Sequence, residues 1–242
     1  MSQLPGMPLT SPPSGALASI PAAGSRRAQP MPAHLKFFYG PMDCGKSTLA
    51  LQIDHNHARQ GRRGLVLTRY DRSGRPEVTT RVGLSHAATE ITDELDLRKL
   101  VLNQLSLGNR IDYLIVDEAG FLEPAHVEQL AELVDDYHVD VYCFGLATDF
   151  RSQLLPGAKR LIELADEIIA IQVEVLCWCG RPGQQNARVV GGKVVRQGDT
   201  VVVADTTDDE KFADVRYQVL CRAHYRSGKL GLAPPGEQLV LD

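Results

Sequence analysis

The chain has 242 residues, of which 43% are hydrophobic and 23% charged, so it can bury one substantial core and a smaller second unit. Its net charge of −4 lacks the basic excess that a nucleic-acid-binding surface normally shows, and we expect no nucleic-acid partner. No apolar run approaches the roughly 20 residues that a membrane-spanning helix needs, so we expect no membrane partner.

Residues 1–33 are rich in Pro, Ala, Ser and Gly. They contain neither an early basic cluster nor the unbroken apolar stretch of a secretory signal peptide. This composition predicts a disordered extension. We therefore expect a cytoplasmic protein.

A phosphate-binding motif follows the first predicted strand, Leu35–Tyr39. From Gly40 to Thr48 the sequence fits G-x-x-x-x-G-K-[ST], and a helical pattern begins at its end. Backbone N–H groups of such a loop hold an anion together with the partial positive charge of the helix start. Lys46 would reach the β- and γ-phosphates of ATP, and Ser47 would ligate Mg²⁺. The candidate ATP- and Mg²⁺-binding residues here are Gly40, Pro41, Met42, Asp43, Cys44, Gly45, Lys46, Ser47 and Thr48. The alternative is a glycine-containing turn before an ordinary helix.

Beyond the loop, the pattern predicts a strand at Gly64–Thr68 and a helix over residues 93 to about 105. Arg72 and Arg81 lie between these two elements, and Arg151 lies further along the chain. Each is a candidate for stabilising negative charge on a transferred phosphoryl group. The alternative for each is an exposed, solvated arginine.

A mostly apolar strand that starts at Ile111 ends in two carboxylates, Asp117 and Glu118. This ending resembles a Walker B motif, in which Asp117 at the strand tip would hold Mg²⁺ opposite Ser47. Glu118, one residue further on, is free to act as a general base at the same phosphate. The alternative is a loop start with no function. Because the phosphate loop precedes it, we favour two halves of one Mg²⁺–nucleotide site.

The alternation of strand and helix continues through a helix at Pro124–Tyr137 and a strand at Asp140–Gly145. A helix near Leu161–Ala165 and a strand near Glu167–Val173 complete it. Such alternation predicts an α/β fold in which a parallel sheet carries helices on both faces, as in RecA-like P-loop proteins. We assign this predicted nucleotide-binding domain to residues 34–175.

After residue 175 the sequence changes character, and Val189–Val195 predicts a hairpin around a Gly-Gly turn. Two pairs of soft metal ligands flank this hairpin, and together they predict one tetrahedral, structural Zn²⁺ site. The four candidate ligands are Cys177, Cys179, Cys221 and His224. The first pair has C-x-C spacing where C-x-x-C is usual. The alternative is buried cysteines, a disulfide and a surface histidine. We assign residues 176–230 to a small zinc-stapled domain and 231–242 to a tail.

Several separated motifs over about residues 34–230 resemble the type II thymidine kinases, the zinc-containing cellular kind. They are Gly40-Pro41-Met42, Asp117-Glu118-Ala119 followed by Phe121, Gly145-Leu146 followed by Asp149-Phe150-Arg151, and Tyr217 four residues before Cys221. The resemblance implies that ATP phosphorylates the 5′-hydroxyl of thymidine and that Glu118 is the catalytic residue that accepts the hydroxyl proton. It implies that the sugar and base contact Met42, Phe121, Leu146, Phe150 and Tyr217. It also implies a homotetramer and feedback inhibition by the triphosphate end product.

The chain departs from this family at three places. In the loop at residues 68–74, which follows the second predicted strand, an Asp and Arg pair has an ambiguous register against the Asp-x-Arg of the family. Gly120 stands where the family usually has Gln, and residues 205–214 are longer and more acidic than the Gly-rich turn expected before Tyr217. The resemblance implies that the loop between Val201 and Tyr217 closes over thymidine. Two other functions remain open: a P-loop ATPase whose zinc module binds nucleic acid, and an inactive nucleotide-binding relative.

Overall fold

The structure is a computed structural model that describes residues 32–69, 77–79, 85–198 and 215–231. Several predictions therefore lie wholly or largely outside the described residues. They are the extension at 1–33, Arg72 and Arg81, the acidic stretch and the closing loop before Tyr217, and the tail at 231–242.

The first part of the chain alternates between strands and helices. Its strands are β1 (Leu35–Tyr39), β2 (Gly64–Thr68), β3 (Glu77–Thr79), β4 (Ser85–Ala87), β5 (Thr89–Glu90), β6 (Tyr113–Asp117), β7 (Asp140–Gly145) and β8 (Glu167–Ala170). Its helices are α1 (Lys46–Arg59), α2 (Leu97–Ser106), α3 (Pro124–Tyr137) and α4 (Pro156–Leu164), with a 3₁₀ turn at Ala119–Phe121. The later part contains β9 (Gln185–Val190), β10 (Lys193–Val195), β11 (Val215–Leu220) and α5 (Arg222–Ser227).

Six strands form one sheet in the order β5-β2-β6-β7-β1-β8, and every pair in it is parallel. Parallel strands covered on both faces read as continuous apolar runs, and all of β6 is buried in this way. The predicted α/β architecture with a parallel sheet is confirmed. Strand β7 lies between β1 and β6. Because all three strands are parallel, the phosphate loop after β1 and Asp117 at the end of β6 lie at the same, carboxyl end of the sheet.

Helices cover both faces of the sheet. On one face α1 packs through Ala50 against Val66, Ile115 and Phe144. On the other face α2, α3 and α4 supply the apolar side chains that cover β1, β6 and β7. None of the helices in the described ranges combines the length and the apolar character that crossing a bilayer requires.

A three-stranded sheet is antiparallel, in the order β10-β9-β11, and β3 and β4 form a separate antiparallel pair. Gly191 and Gly192 join β9 to β10, and both have positive φ, 56° and 72°. A tight hairpin turn of this kind needs positive φ at its central residues, so the predicted Gly-Gly hairpin is confirmed. A separate apolar cluster beside this sheet contains Cys177, Ala187, Leu220, Cys221 and Tyr225.

Some element boundaries differ from the prediction. Helix α2 begins at Leu97 and not near residue 93, because the Asp96 carboxylate accepts a hydrogen bond from the Lys99 N–H and caps the helix there. Helix α4 begins at Pro156, earlier than predicted, since proline is well suited to a first helical turn. The short strands β3, β4 and β5 were not predicted.

Candidate active site

The phosphate loop relies on two glycines for different reasons. Gly45 has φ 79°, and a Cβ added there would meet no atom within 4 Å, so its backbone conformation and not its space requires glycine. At Gly40 a Cβ would lie 2.5 Å from the Cys44 Sγ, so space is limiting. No side chain in the described part of the chain caps the start of α1, and the first turn of α1 has no acidic residue. The first N–H groups of α1 are therefore left for an anion.

Lys46 lies back over the loop. Its Nζ donates a hydrogen bond to the Pro41 carbonyl at 2.8 Å and lies 3.9 Å from the Cys44 Sγ. Burial raises the pKa of the Cys44 thiol above its usual value, so this side chain stays neutral. Cys44 thus packs beneath the loop, while Lys46 supplies the positive charge at its mouth.

Ser47 and Asp117 meet directly although 70 positions separate them. The Ser47 hydroxyl donates to Asp117 Oδ2 at 2.7 Å, and Asp117 Oδ1 accepts from the Glu118 N–H at 3.0 Å. A hydroxyl and a carboxylate are the hard oxygen ligands that Mg²⁺ prefers in phosphoryl-transfer sites. The two residues therefore fit a Mg²⁺ ion placed at this edge of the sheet.

Glu118 has a left-handed backbone, with φ 53° and ψ 31°. This conformation is uncommon for a residue with a side chain, and such strain concentrates at functional sites. The Glu118 carbonyl accepts from the Phe121 N–H at 3.0 Å, which closes the 3₁₀ turn. The turn ends β6 and fixes Glu118 directly beside the Ser47–Asp117 pair.

Gly120 lies at a close contact between backbone segments. A Cβ at this position would lie 2.3 Å from the Leu146 carbonyl oxygen and 3.0 Å from the Leu155 Cδ1. A Cβ on Gly145 would in turn lie 2.6 Å from the Gly120 nitrogen. The backbone of the segment after β7 therefore occupies the space where a glutamine side chain would start.

The residues expected to surround the nucleoside fall into two groups. Met42 and Phe121 pack against the main apolar cluster, of which Leu146 is a buried member. Phe150 is 3% exposed, and it is connected to Tyr217 of β11 through Arg188 of β9. The described residues thus place the second group between the loop after β7 and the three-stranded sheet.

Three polar residues that the sequence analysis did not single out connect the three-stranded sheet and α5 to the phosphate-loop part of the chain. The Arg188 guanidinium lies 3.7 Å from the Phe150 ring centroid, and its Nε donates to the Tyr217 hydroxyl at 3.0 Å. The Tyr225 hydroxyl donates to the Phe150 carbonyl at 2.7 Å. Asn186 accepts from the Met42 N–H at 2.9 Å. Polar residues at alternating positions 186 and 188, interleaved with the apolar Ala187 and Val189, were the available signal.

Asp149 organises the loop after β7. Its carboxylate accepts from the backbone N–H groups of Arg151 and Gln153 at 2.8 and 3.0 Å, and from Arg151 Nε at 2.6 Å. Arg151 is therefore held by Asp149 at the edge of the site. Of the three arginine candidates, it is the one that the described residues include.

The four predicted zinc ligands come together. One ligand atom from each of Cys177, Cys179, Cys221 and His224 lies within 4.8 Å of all the others. The Cys179 and Cys221 sulfurs are 3.9 Å apart, and all three cysteines of the cluster are free thiols, so the disulfide alternative is not supported. Three sulfurs and one imidazole nitrogen form a donor set that suits tetrahedral Zn²⁺.

Neighbouring side chains shape this cluster. Arg181 Nε donates to the Cys179 Sγ at 3.4 Å, and this contact lowers the pKa of Cys179 to about 6, which favours the thiolate that a metal needs. The Trp178 ring stacks on His224 with centroids 4.2 Å apart and an interplanar angle of 20°. About half of the Trp178 side chain remains exposed.

The sequence matches a known protein family. A family model described as thymidine kinase matches residues 33–225. The thymidine kinase of Cutibacterium acnes is 52% identical over 199 residues, which cover 82% of this chain and 91% of the relative. The thymidine kinase of Streptomyces avermitilis is 52% identical over 192 residues, which cover 79% and 88%.

Among solved structures, the Legionella pneumophila ATPase DotB aligns with 82% of this chain and 62% of its own at a TM-score of 0.37 and 16% identity. Nothing about function follows from that likeness. The match to the thymidine kinase model and the two relatives decides the matter: the chain belongs to the thymidine kinase family.

Proposed function

We propose that this protein transfers the γ-phosphoryl group of ATP to the 5′-hydroxyl of thymidine. The observation that carries the proposal is the Ser47–Asp117 contact at the phosphate loop, with Glu118 one residue further on, in a chain of this family. The two other functions that the sequence left open, a nucleic-acid-binding ATPase and an inactive relative, are not favoured by this family membership.

The phosphate loop binds and orients the triphosphate. The uncapped start of α1 binds phosphate oxygens, and Lys46 exchanges the Pro41 carbonyl for the β- and γ-phosphates. A Mg²⁺ ion held by Ser47 and Asp117 would neutralise charge on the β- and γ-oxygens. The remaining loop residues, from Gly40 to Thr48, contribute backbone contacts.

Glu118 is the proposed general base. Its carboxylate accepts the proton of the 5′-hydroxyl as the oxygen attacks the γ-phosphorus, and the bond to the ADP oxygen breaks. Because the transition state is loose, most of the rate comes from positioning and charge neutralisation. Arg151, held by Asp149, is a candidate for the additional positive charge.

The two parts of the chain divide the binding between them. We propose that residues 34–175 hold ATP, while residues 176–230 complete the nucleoside site. Met42, Phe121, Leu146, Phe150 and Tyr217 would contact the sugar and base. Contacts of Arg188 and Tyr225 with Phe150 support this division.

The Cys/His cluster would hold a structural Zn²⁺. Protein ligands fill all four positions of a tetrahedral ion, which leaves none for a reacting water. A homotetramer, a cytoplasmic location and the absence of a nucleic-acid partner complete the proposal. The family resemblance supports the tetramer, the unpaired cysteines fit a reducing compartment, and the acidic net charge disfavours nucleic acid.

An ATP-turnover assay with thymidine, with DNA and with neither tests this proposal. We expect turnover only with thymidine. Glu118→Gln should lower kcat by about 10²–10⁴-fold without weakening ATP binding, the usual range for a general base. Glu123→Gln makes the same change at an exposed position with no capping hydrogen bond and serves as the control. DNA-stimulated turnover, or near wild-type kcat in Glu118→Gln, would contradict the proposal.

A further inference from the structure

Strand β9 places two buried polar side chains on one face. Asn186 and Arg188 are each 4% exposed and, being two positions apart, they point to the same side of the strand. Ala187 and Val189 point to the other side and are fully buried. The face with Asn186 and Arg188 contacts the phosphate-loop part of the chain, through the Met42 N–H and the Phe150 ring.

The contact with Met42 fixes the orientation of the Asn186 amide. A backbone N–H can only donate, so the Asn186 atom that lies 2.9 Å from the Met42 nitrogen must be the acceptor Oδ1. The other end of the amide is therefore Nδ2, which can only donate.

The Asn186 Nδ2 has a free donor in an accessible place. Nδ2 makes no hydrogen bond with any of the residues that the structure describes. Within that part of the chain, the Asn186 side chain has one hydrogen-bond partner, the Met42 backbone N–H. Nδ2 is also absent from the fully enclosed side-chain atoms that lack a partner, so solvent reaches it. A donor held in place within a mostly buried residue is a recognition group for an acceptor.

The surroundings of Asn186 indicate which ligand supplies that acceptor. Met42 lies on one side of it, and Arg188, which stacks on Phe150 and bonds Tyr217, lies two residues along the same face. Met42, Phe150 and Tyr217 are the proposed nucleoside contacts. Of the parts of a nucleoside, the pyrimidine base presents carbonyl oxygens, which accept hydrogen bonds and cannot donate.

We propose that Asn186 is a specificity-determining residue whose Nδ2 donates a hydrogen bond to a carbonyl oxygen of the pyrimidine base, an inference that rests on the proposed function. Thymine has carbonyls at positions 2 and 4, whereas cytosine has an amino group at position 4. If Nδ2 contacts position 4, the site disfavours deoxycytidine, because two donors would face each other.

Asn186→Asp is the sharpest test. It keeps an oxygen that accepts from the Met42 N–H and replaces the donor Nδ2 with an acceptor of the same shape. We expect kcat/KM for thymidine to fall by about 10- to 100-fold, since a buried acceptor on the base loses its partner, while the KM for ATP stays within about twofold. Gln184→Glu makes a matched change at an exposed position two residues away and should match the wild type.

Deoxycytidine in the same assay identifies the carbonyl. A rise in the ratio of deoxycytidine to thymidine turnover in Asn186→Asp supports position 4, because the new acceptor can take a hydrogen bond from the amino group. An unchanged ratio with both activities lowered supports position 2, which both bases share. Unchanged kcat/KM for thymidine in Asn186→Asp overturns the inference.

A second measurement needs no variant. Wild-type enzyme should lose kcat/KM by about fivefold or more with either 2-thiothymidine or 4-thiothymidine, because sulfur is a weak acceptor. Equal kcat/KM for thymidine and both analogues overturns the inference. If wild-type enzyme does not phosphorylate thymidine, the proposed function fails instead, so the two failures are distinguishable.

Discussion

The phosphate loop and the Cys/His cluster both gather ligand-binding groups, but they are stabilised by different means. The loop comes from one short stretch of sequence, and direct hydrogen bonds already hold it, from Lys46 to the Pro41 carbonyl within the loop and from Ser47 to Asp117 at the end of β6. The cluster joins Cys177 to His224, 47 positions away, through sulfur contacts of 3.4 to 3.9 Å, which are weak hydrogen bonds. We therefore expect ATP to bind to a site that is already formed, whereas the nucleoside-binding part of the chain depends on a metal.

Of the four substitutions that test this difference, Lys46→Ala should have the largest effect. We expect phosphoryl transfer to fall by about 10³-fold, because a charge aimed at the transferred group is lost. The fold should survive, since the hydrogen-bond partners of the Lys46 Nζ among the described residues, Pro41 and Cys44, belong to its own loop. Turnover and thermal melting check both parts, with Lys159→Ala at an exposed position of α4 as the control. A melting temperature more than about 10 °C lower would contradict this expectation, because it would show that Lys46 stabilises the fold as well.

Cys221→Ser should affect the Cys/His cluster and leave the phosphate loop intact. Removal of one of four protein ligands should weaken metal binding by about 100-fold or more and raise the KM for thymidine by about tenfold, with little change in the KM for ATP. Metal analysis of the purified protein and both KM values test this. Cys143→Ser, in β7 and away from the cluster, is the control for zinc content. Zinc-free active enzyme, or equal increases in the two KM values, would contradict the comparison.

Gly45→Ala should have the opposite effect, because it alters the phosphate loop and leaves the Cys/His cluster intact. With φ at 79°, any side chain there costs about 1–2 kcal/mol, so we expect the KM for ATP to rise by about 5- to 30-fold while zinc content stays normal. Gly108→Ala, a residue with φ 82° outside the site, controls for the strain itself. An unchanged KM for ATP would show that the αL conformation of Gly45 is not needed for phosphate binding.

The smallest effect should follow from Tyr225→Phe, which removes only the hydroxyl that donates to the Phe150 carbonyl. The loss of one neutral hydrogen bond is worth about 1 kcal/mol, so the KM for thymidine should rise by about two- to fivefold. Tyr137→Phe at the end of α3 is a matched control. If the KM for thymidine does not change, the contact between α5 and Phe150 does not support the nucleoside site.

Sequence reasoning worked best where the physics is local. A glycine loop between a strand and a helix, or a Gly-Gly hairpin, is determined by a few neighbouring residues, and β1, β2 and α3 have the predicted bounds. It missed the start of α2 even though that start is set locally, by the hydrogen bond from the Lys99 N–H to the Asp96 side chain. Asn186, Arg188 and Tyr225 were missed because their importance lies in partners at least 29 positions away along the chain. The roles of the individual site residues remain predictions.

The stacked Trp178 has a consequence for spectroscopy. It is the single tryptophan among 242 residues, so light absorbed at the red edge of the aromatic band excites one ring, and that ring lies on His224. Its emission therefore comes from beside the Cys/His cluster and from nowhere else. A change in that emission as a chelator or zinc is added would follow the state of the cluster in the unmodified protein, without a label and during turnover.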